Sequence, residues 1–325
     1  MKVLLTGANG FVGSHIAEDL LEKGHQVEAV VRQTSNLKWI KDLPISYQIG
    51  SLNDELFLKK CIGGADIVIH CAGAVRAMRI EDYFKANTAS AALICKTALK
   101  INANLKKIIF ISSQAAMGPS DSKEPKSLAA DLNPVSDYGL SKLEAERKIR
   151  EILKGKIPYT ILRPASVYGP RDKDIFIFFN LVHKHLKPVT IKERFIQLVY
   201  VKDIAKAVCA SIDNAKSDDK TYYLAAEKPF LWKEVAETIA KGAKKWTIPL
   251  FLPDFVFKTA GFCAQIHSKF SKKPAVLNNQ KIIEMLQRFW IADTKPAKDD
   301  LGIVFTEFET GSEITYNWYV KNGWF

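Results

Sequence analysis

The first two hundred residues alternate short apolar runs with segments of helical periodicity. Six runs are predicted to be strands: KVLLT, VEAVVR, ISYQI, DIVIH, KKIIFIS and YTILR. Amphipathic helices are predicted between several of them, over residues 11 to 23, 83 to 104 and 138 to 154. Strands that are apolar on both faces and separated by helices indicate a parallel sheet covered on both sides. The pattern therefore predicts an α/β fold built on a doubly wound parallel sheet.

The alternation loosens after residue 170 and returns only in the runs FIQLVYV and TYYLAA. The sequence from about Lys228 onward is rich in helical patterns and aromatic residues. We therefore predict a main domain over residues 1–170, to which strands near 196–225 return. Residues 171–195 and 226–325 are predicted to form a smaller, mainly helical lobe.

The composition is that of a globular protein, with 47% hydrophobic and 25% charged residues in a chain of 325. The five cysteines form no C-x-x-C pair and are odd in number, so we expect neither disulfides nor a metal site. The N-terminus MKVLLTGANG has too few apolar residues for a signal peptide, and no uncharged run reaches membrane-spanning length. These features predict a cytoplasmic protein without a transmembrane segment.

The net charge of +12 raises the question of nucleic-acid binding. The excess consists mostly of scattered lysines with acidic residues between them, and no arginine–aromatic recognition module accompanies it. A solvated lysine-rich surface is therefore favoured, and we expect no nucleic-acid partner. The same charge would attract an anionic ligand or an acidic membrane surface, so peripheral membrane contact stays open.

The first predicted strand ends in TGANGFVGS, which places three glycines at a strand-to-helix junction: Gly7, Gly10 and Gly13. Glycines there allow a tight turn and a close approach of the backbone to a phosphate, while the helix N-terminus offers N–H groups to the anion. We predict dinucleotide binding at this turn. The alternative is a glycine-rich turn that holds no ligand.

The end of the second strand distinguishes the two common dinucleotides. A carboxylate there would accept hydrogen bonds from a ribose hydroxyl, whereas a cation suits the 2′-phosphate of NADP. Arg32 stands at this end, with Asn36 and Lys38 close behind and no carboxylate before Asp42. The cofactor is therefore predicted to be NADP, with NAD as the alternative. If Arg32 has no function, it is an ordinary exposed arginine.

The stretch VSDYGLSKLEAE places Tyr138 four residues before Lys142, which brings both side chains to one face of a helix. One such pair is about what chance provides in this composition. The spacing alone does not separate a proton donor and its partner from two ordinary residues of a surface helix.

Seven motifs together resemble the extended short-chain dehydrogenase/reductases, the epimerase/dehydratase group. They span residues 3 to about 210 in the order of that group: TGANGFVG, HCAGAV, YFKANTAS, FISSQAAMG, YGLSK, RPASVYGPR and VYVKDIAKAV. The C-terminal third is similar only through WIADTKPAKDDLG. The resemblance implies a Rossmann fold that binds NAD(P), a C-terminal lobe that binds the substrate, and a homodimer formed through the helices at 83 to 104 and 138 to 154.

The resemblance also assigns roles to four residues around a hydride transfer. Ser113 would hold the substrate oxygen and Tyr138 would exchange its proton, while Lys142 would anchor the nicotinamide ribose and lower the tyrosine pKa from its ordinary value near 10. Asn87 would relay the proton, or else is a plain helix residue. The implied cofactor contacts are Gly7, Asn9, Gly10, Phe11, Val12, Gly13, Arg32, Asn36, Lys38, Ser51, Leu52, Cys71, Ala72, Gly73, Tyr138, Lys142, Pro164 and Val167.

Several departures from the group bear on the substrate. Ser51 stands where the group commonly has an aspartate, Met117 replaces a tyrosine common in epimerases, and IKERFIQLVYV lacks the usual G-D-G turn and diphosphate-binding arginine. The chain is more similar to dihydroflavonol reductases and 3β-hydroxysteroid dehydrogenases. We predict an NADP(H)-dependent oxidoreductase that interconverts a ketone or aldehyde with an alcohol on a largely apolar small molecule. The alternatives are a nucleotide-sugar epimerase with tightly bound NAD and a non-catalytic NADP-sensing protein.

Two aromatic segments, IFIFFNLV and LPDFVFKTAGFCAQIHSKF, are candidates to line an apolar pocket. The side chains expected near this pocket are Met117, Phe176, Phe178 and Phe179. The alternative is that both segments pack the core of a helical lobe. Four arginines could replace the missing diphosphate ligand: Arg76, Arg79, Arg171 and Arg194.

Overall fold

A computed structural model describes residues 1–259, 261 and 279–325 of the protein. Its centre is a seven-stranded sheet in the order β11-β6-β5-β4-β1-β2-β3, in which every neighbouring pair is parallel. The strands are β1 (Lys2–Thr6), β2 (Gln26–Val31), β3 (Ser46–Ile49), β4 (Ile67–His70), β5 (Lys107–Ile111), β6 (Tyr159–Pro164) and β11 (Lys220–Leu224).

Helices cover both faces of this sheet, because successive strand residues point to opposite sides and both sides are apolar. Leu5 packs on one face and Leu4 on the other. The first face carries α1 (Phe11–Glu22), α7 (Val201–Ile212) and α10 (Lys295–Leu301). The second carries α2 (Glu55–Ile62), α4 (Ser90–Ile101) and α5 (Asp137–Leu153). These layers confirm the predicted α/β class with a doubly wound parallel sheet.

The rest of the described chain forms smaller units. Three small sheets pair β7 (Ser166–Tyr168) with β10 (Leu198–Tyr200), β8 (Leu186–Thr190) with β13 (Ile248–Leu252), and β9 (Phe195–Ile196) with β12 (Phe230–Leu231) and β14 (Phe289–Trp290). An aromatic core lies among α6 (Phe176–His183), α8 (Trp232–Gly242) and α11 (Phe308–Lys321). The short helices α3 (Ile80–Tyr83) and α9 (Asn279–Met285) complete the α-helices used below.

Two details differ from the sequence prediction. Of the late apolar runs, TYYLAA supplies β11 to the main sheet, whereas FIQLVYV pairs only within the small sheets and then begins α7. The helix predicted at 83 to 104 is divided into α3, a π-helical turn (Phe84–Ala89) and α4. The domain boundaries drawn from the sequence stay a prediction. None of the described helices is long and apolar enough to cross a membrane.

Candidate active site

The glycine-rich turn joins β1 to α1 and has room only for glycine at two positions. Gly7 adopts a left-handed conformation at φ +76°, and a Cβ there would lie 2.7 Å from the backbone nitrogen of Ala72. A Cβ on Gly13 would lie 2.1 Å from the Gly7 carbonyl oxygen. Helix α1 starts without a side-chain cap and without an acidic residue in its first turn, beside Phe11 and Val12. This turn therefore fits the pyrophosphate of a dinucleotide, which would accept from the helix N–H groups.

The loop after β2 lies beside this turn. The Asn9 side-chain amide donates to the Asn36 carbonyl oxygen at 3.4 Å, which links the two segments. Arg32 is exposed, and its backbone N–H donates to the Ser35 hydroxyl at 3.0 Å. The Lys38 ammonium lies 4.4 Å from the centre of the Trp39 ring. Two cations thus stand on the loop after β2, which Asn9 links to the glycine-rich turn.

Other predicted cofactor contacts lie at the carboxyl ends of neighbouring strands, where parallel α/β sheets bind ligands. Ser51 is exposed after β3, and Leu52 packs on the core of one sheet face. Ala72 follows β4, and its N–H donates to the Thr6 hydroxyl at 3.2 Å. Pro164 ends β6, while Val167 lies in β7 opposite Val199 of β10.

Asn87 lies in the π-helical turn and is fully buried. Its side-chain oxygen accepts from the Ala74 N–H at 2.8 Å, and its amide donates to the Ala74 carbonyl at 3.1 Å and the Ser141 hydroxyl at 2.9 Å. A Cβ on Gly73 would lie 2.7 Å from this oxygen and 3.2 Å from the Lys142 ammonium nitrogen. The π-turn thus carries the amide into the group of residues that surrounds Lys142, as π-turns often do at functional sites.

Tyr138 stands in the first turn of α5, whose start is fixed by the Ser136 hydroxyl accepting from the Gly139 N–H at 3.0 Å. Its ring is partly buried and lies 6.3 Å from the Tyr83 ring, centre to centre. Burial raises the pKa of Tyr138, while a hydrogen bond with Ser113 acts in the opposite direction. Ser113 and Tyr138 are therefore close neighbours in the structure.

Lys142 lies one helical turn further along α5 and is buried. Its ammonium group donates to the Ile111 carbonyl oxygen at the end of β5, at 2.9 Å. Burial lowers its pKa to about 8, partly offset by Cys71 and Glu146. The resemblance implies that Lys142 lowers the pKa of Tyr138. In the chain by itself, the pKa of the Tyr138 phenol is raised instead, so these protein groups alone do not produce the expected lowering.

A buried ion pair between Glu146 and Arg163 lies one helical turn along α5 from Lys142. Glu146, on α5, accepts from the Arg163 guanidinium at 2.6 and 2.9 Å and from the Ser112 hydroxyl at 2.5 Å. Arg150 adds a contact at 3.0 Å. Burial by itself would raise the pKa of Glu146, but Arg163 outweighs it and the pKa is lowered. The network fastens α5 to the loop after β5 and to β6.

Sequence reasoning missed Glu284, which α9 brings next to the start of α5. Its carboxylate accepts from the Ser136 hydroxyl at 2.5 Å and is among the groups that raise the pKa of Tyr138. Ser136 could have been found as a helix cap directly before Tyr138. No local signal marks Glu284, because about 150 residues separate it from its partner and only the tertiary fold joins them.

The predicted apolar pocket is corrected in part. Met117 and Phe179 are fully buried, the first against Tyr223 and the second in the aromatic core, so the prediction that they line a pocket is wrong. Phe176 packs on the ring of Tyr319, and Phe178 packs on Trp232. These side chains follow the alternative, a packed helical lobe. Much of LPDFVFKTAGFCAQIHSKF lies outside the described residues.

Each arginine proposed to replace the missing diphosphate ligand is paired with a carboxylate. Arg194 is buried and contacts Asp254 at 2.7 Å, and Arg79 contacts Asp82 at 3.2 Å. The other two pairs are Arg76 with Asp174 and Arg171 with Glu18. A diphosphate would compete with these carboxylates, least at the exposed pair of Arg79 with Asp82.

Comparisons with known proteins agree on one family. Residues 3–225 match the model of the NAD dependent epimerase/dehydratase family. The chain is 26% identical over 325 residues to a ceramide reductase of Caulobacter vibrioides, which covers 99% of this chain and 95% of that protein. It is 28% identical over 274 residues to a UDP-glucose 4-epimerase of Vibrio cholerae, and this match covers 80% of this chain and 81% of that protein.

Solved structures share the whole fold. The UDP-glucose 4-epimerase of Thermotoga maritima, solved with UDP-glucose, has a TM-score of 0.81 and 21% identity over 99% of both chains. At this identity the likeness concerns the fold.

Proposed function

The chain belongs to the NAD-dependent epimerase/dehydratase family, as its motifs predicted, and we propose that it is an NADP(H)-dependent oxidoreductase. The reaction would interconvert a ketone or aldehyde with an alcohol on a largely apolar small molecule. Bound NADP(H) would supply the hydride transfer. The protein would bind and orient the reactants and exchange the proton.

One observation carries this proposal: Ser113, Tyr138 and Lys142 converge at the carboxyl ends of β4 and β5, next to the glycine-rich turn. The Ser113 hydroxyl and the Tyr138 phenol would both hydrogen-bond to the substrate oxygen, and the phenol would donate the proton during reduction. Lys142 is held by Ile111 so that its remaining donors can reach a ribose. Asn87 would fix the backbone of Ala74, at the edge of the cofactor site.

The apolar substrate class is supported from two sides. The four candidate arginines are all paired with carboxylates, so none of them is an unpaired cation ready to bind a diphosphate. The relative named a ceramide reductase matches 99% of this chain, whereas the named sugar-nucleotide epimerase matches 80%. The protein named for a lipid substrate is thus matched over more of this chain than that epimerase.

A substrate panel tests the reaction class. Long-chain ketones of the ceramide type, hydroxysteroids, flavonoid-like ketones and aromatic aldehydes are expected to react, with NADPH consumption followed at its absorbance and products identified by mass. UDP- and dTDP-sugars serve as the comparison set and are expected to remain unchanged. Sugar epimerisation without net cofactor consumption, together with no reaction of the apolar set, would replace this proposal by the epimerase.

The epimerase is kept as a second candidate because its named relative has the slightly higher identity, 28% over 274 residues. In that case NAD would be retained through turnover. The nucleotide that copurifies with the protein distinguishes the two: a tightly held NAD favours the epimerase, and exchangeable NADP favours the reductase. A protein that binds NADP but turns over no member of either set would fit the non-catalytic alternative.

The preference for NADP is expected to depend on Arg32. NADPH should bind at least several-fold more tightly than NADH, because charge-assisted hydrogen bonds contribute about 1.5 to 3 kcal/mol. The change Arg32→Asp is expected to reverse this order, as measured by fluorescence titration. The exposed Lys41 lies in the same region, and Lys41→Asp is the control with the same change of charge. Equal affinities in the unmodified protein would contradict the NADP assignment.

A cytoplasmic homodimer stays part of the proposal. The π-helical turn, α4 and α5 enclose a groove of about 360 Å³. Its lining combines the apolar side chains of Phe84, Ala89, Ala92 and Ile152 with Lys85, Thr88, Lys96, Lys148 and Glu151. Burial of the apolar side chains of this groove against a second copy would stabilise a dimer. Sedimentation equilibrium at increasing protein concentration would measure its mass, and cell fractionation would locate the protein; a monomer at all concentrations would contradict the dimer.

A further inference from the structure

A surface far along the chain from the catalytic motifs exposes large apolar side chains, of which Trp246 stacks one face of its ring on His185. Phe251, Phe255 and Ile191 are 66%, 67% and 71% exposed. Trp246 and Ile248 are also more than half exposed. Four of these five lie within residues 246 to 255, and we call the five together the apolar edge. Single exposed apolar residues are common, but a group of this density marks a binding surface.

The fold explains why these side chains face outward. Strand β13 pairs with β8 through the register Ile248 with Leu186 and Leu252 with Thr190. In the described chain β13 has no second strand neighbour, so it is the outer strand of its small sheet. Ile191 follows β8 directly, next to the end of β13. The five side chains therefore lie along β13 and at its two ends, with Ile248 and Phe251 on opposite faces of the strand because strand residues alternate.

Exposed lysines stand close in the sequence to the residues of the apolar edge and to β8, its partner strand. The exposed lysines are Lys184, Lys241, Lys244 and Lys258, and in the described chain none of them forms an ion pair. Among the nearby acids, Asp254 pairs with Arg194 and Lys192 and Glu237 pairs with Lys187, whereas the exposed Glu193 forms no ion pair in the described chain. The surface thus combines exposed aromatic rings with unpaired ammonium groups.

We propose that the apolar edge docks the protein on the surface of a membrane that contains anionic lipids. Aromatic side chains insert at the boundary between headgroups and acyl chains, and flanking lysines are attracted to acidic headgroups. A second copy of the chain is a poorer occupant, because a symmetric contact would bring the same lysines together. The proposal goes beyond the enzymatic one and does not depend on which substrate is turned over.

Vesicle binding tests this proposal with the full-length protein. Sedimentation with phosphatidylcholine vesicles that contain about 30% phosphatidylglycerol is expected to show binding that weakens with salt and with pure phosphatidylcholine. The double variant Phe251→Ser/Phe255→Ser should lower the partition coefficient by at least about tenfold, because both rings leave the bilayer boundary. Lys241→Gln/Lys258→Gln should lower it by about fivefold per lysine on anionic vesicles only.

Matched controls separate this surface from the rest of the molecule. Leu56 and Val304 are 76% and 82% exposed elsewhere, and Leu56→Ser/Val304→Ser should leave vesicle binding unchanged. Lys23→Gln/Lys60→Gln is the charge control, since both side chains are exposed away from the edge. NADPH titration and thermal unfolding of every variant report whether it is folded.

Two results would overturn membrane docking. The first is vesicle binding that is absent in the unmodified protein, or equal in the edge variants and the controls. The second is self-association in the absence of vesicles that Phe251→Ser/Phe255→Ser abolishes, which would assign the edge to a second copy. Failure of the substrate panel leaves this test intact, because vesicle binding is measured without turnover.

Discussion

Replacing Tyr138 by phenylalanine is expected to lower turnover by about 10³-fold, because a positioned acid/base group contributes about 10² to 10⁴. Only the transferable proton and the contact with Ser113 are lost. The ring remains packed beside Tyr83, so the thermal midpoint and the affinity for NADPH should change little. Steady-state kinetics on a substrate identified in the panel, with a cofactor titration, measure both parts.

Tyr83→Phe is the matched control, because Tyr83 is the neighbouring buried tyrosine and has no hydrogen-bond partner in the described chain. It should retain turnover within a few-fold. A Tyr138→Phe protein with unmodified turnover would show that the proton comes from elsewhere. Lys142→Ala should additionally weaken cofactor binding, since its ammonium group would be removed from the side of the ribose.

Replacing Glu146 by leucine is expected to lower the free energy of unfolding by about 3 to 5 kcal/mol, since it leaves the Arg163 charge buried without a partner. The double variant Glu146→Leu/Arg163→Leu should recover much of this loss, because no lone charge stays inside. Urea unfolding of the wild type, both single variants and the double variant completes the cycle.

The exposed pair Lys148–Glu151 on the same helix is the control, and Glu151→Leu should change stability little. A loss for Glu146→Leu no larger than that of the control would contradict the buried-pair interpretation. The pKa of Glu146 is lowered from 4.5 on folding, so its contribution is present above pH 4.5 and is lost as the pH falls through the folded-state value.

The fold could be predicted because its determinants are local. Doubly apolar strands and the helices between them are visible in short windows, and six of the seven strands of the main sheet were predicted within the first two hundred residues. The π-helical turn could not be predicted, since Ser141 and Ala74, which hold Asn87, are distant in the sequence. The prediction that FIQLVYV joins the main sheet was wrong, because an apolar run in the sequence does not show which strand it will pair with.

In the candidate site, too, local features could be predicted from the sequence and features that depend on tertiary contacts could not. The glycine turn and the Tyr138–Lys142 spacing are local patterns, and the fold places them at one edge of the sheet. Glu284 was missed because it reaches the site only through tertiary packing. The pocket prediction failed at Met117 and Phe179 because aromatic and apolar composition is the same in a pocket wall and in a packed core.

The order of strands in the sheet also bears on how the protein folds as it is synthesised. Strand β6 is made by residue 164, but its outer neighbour β11 ends only at residue 224. During the synthesis of the intervening residues, the backbone of β6 presents an unpaired edge flanked by apolar side chains, a template for intermolecular pairing. At about 5 to 20 residues per second this exposure lasts several seconds. The nascent chain is therefore most vulnerable to aggregation in that interval, and a chaperone that covers the edge would protect it.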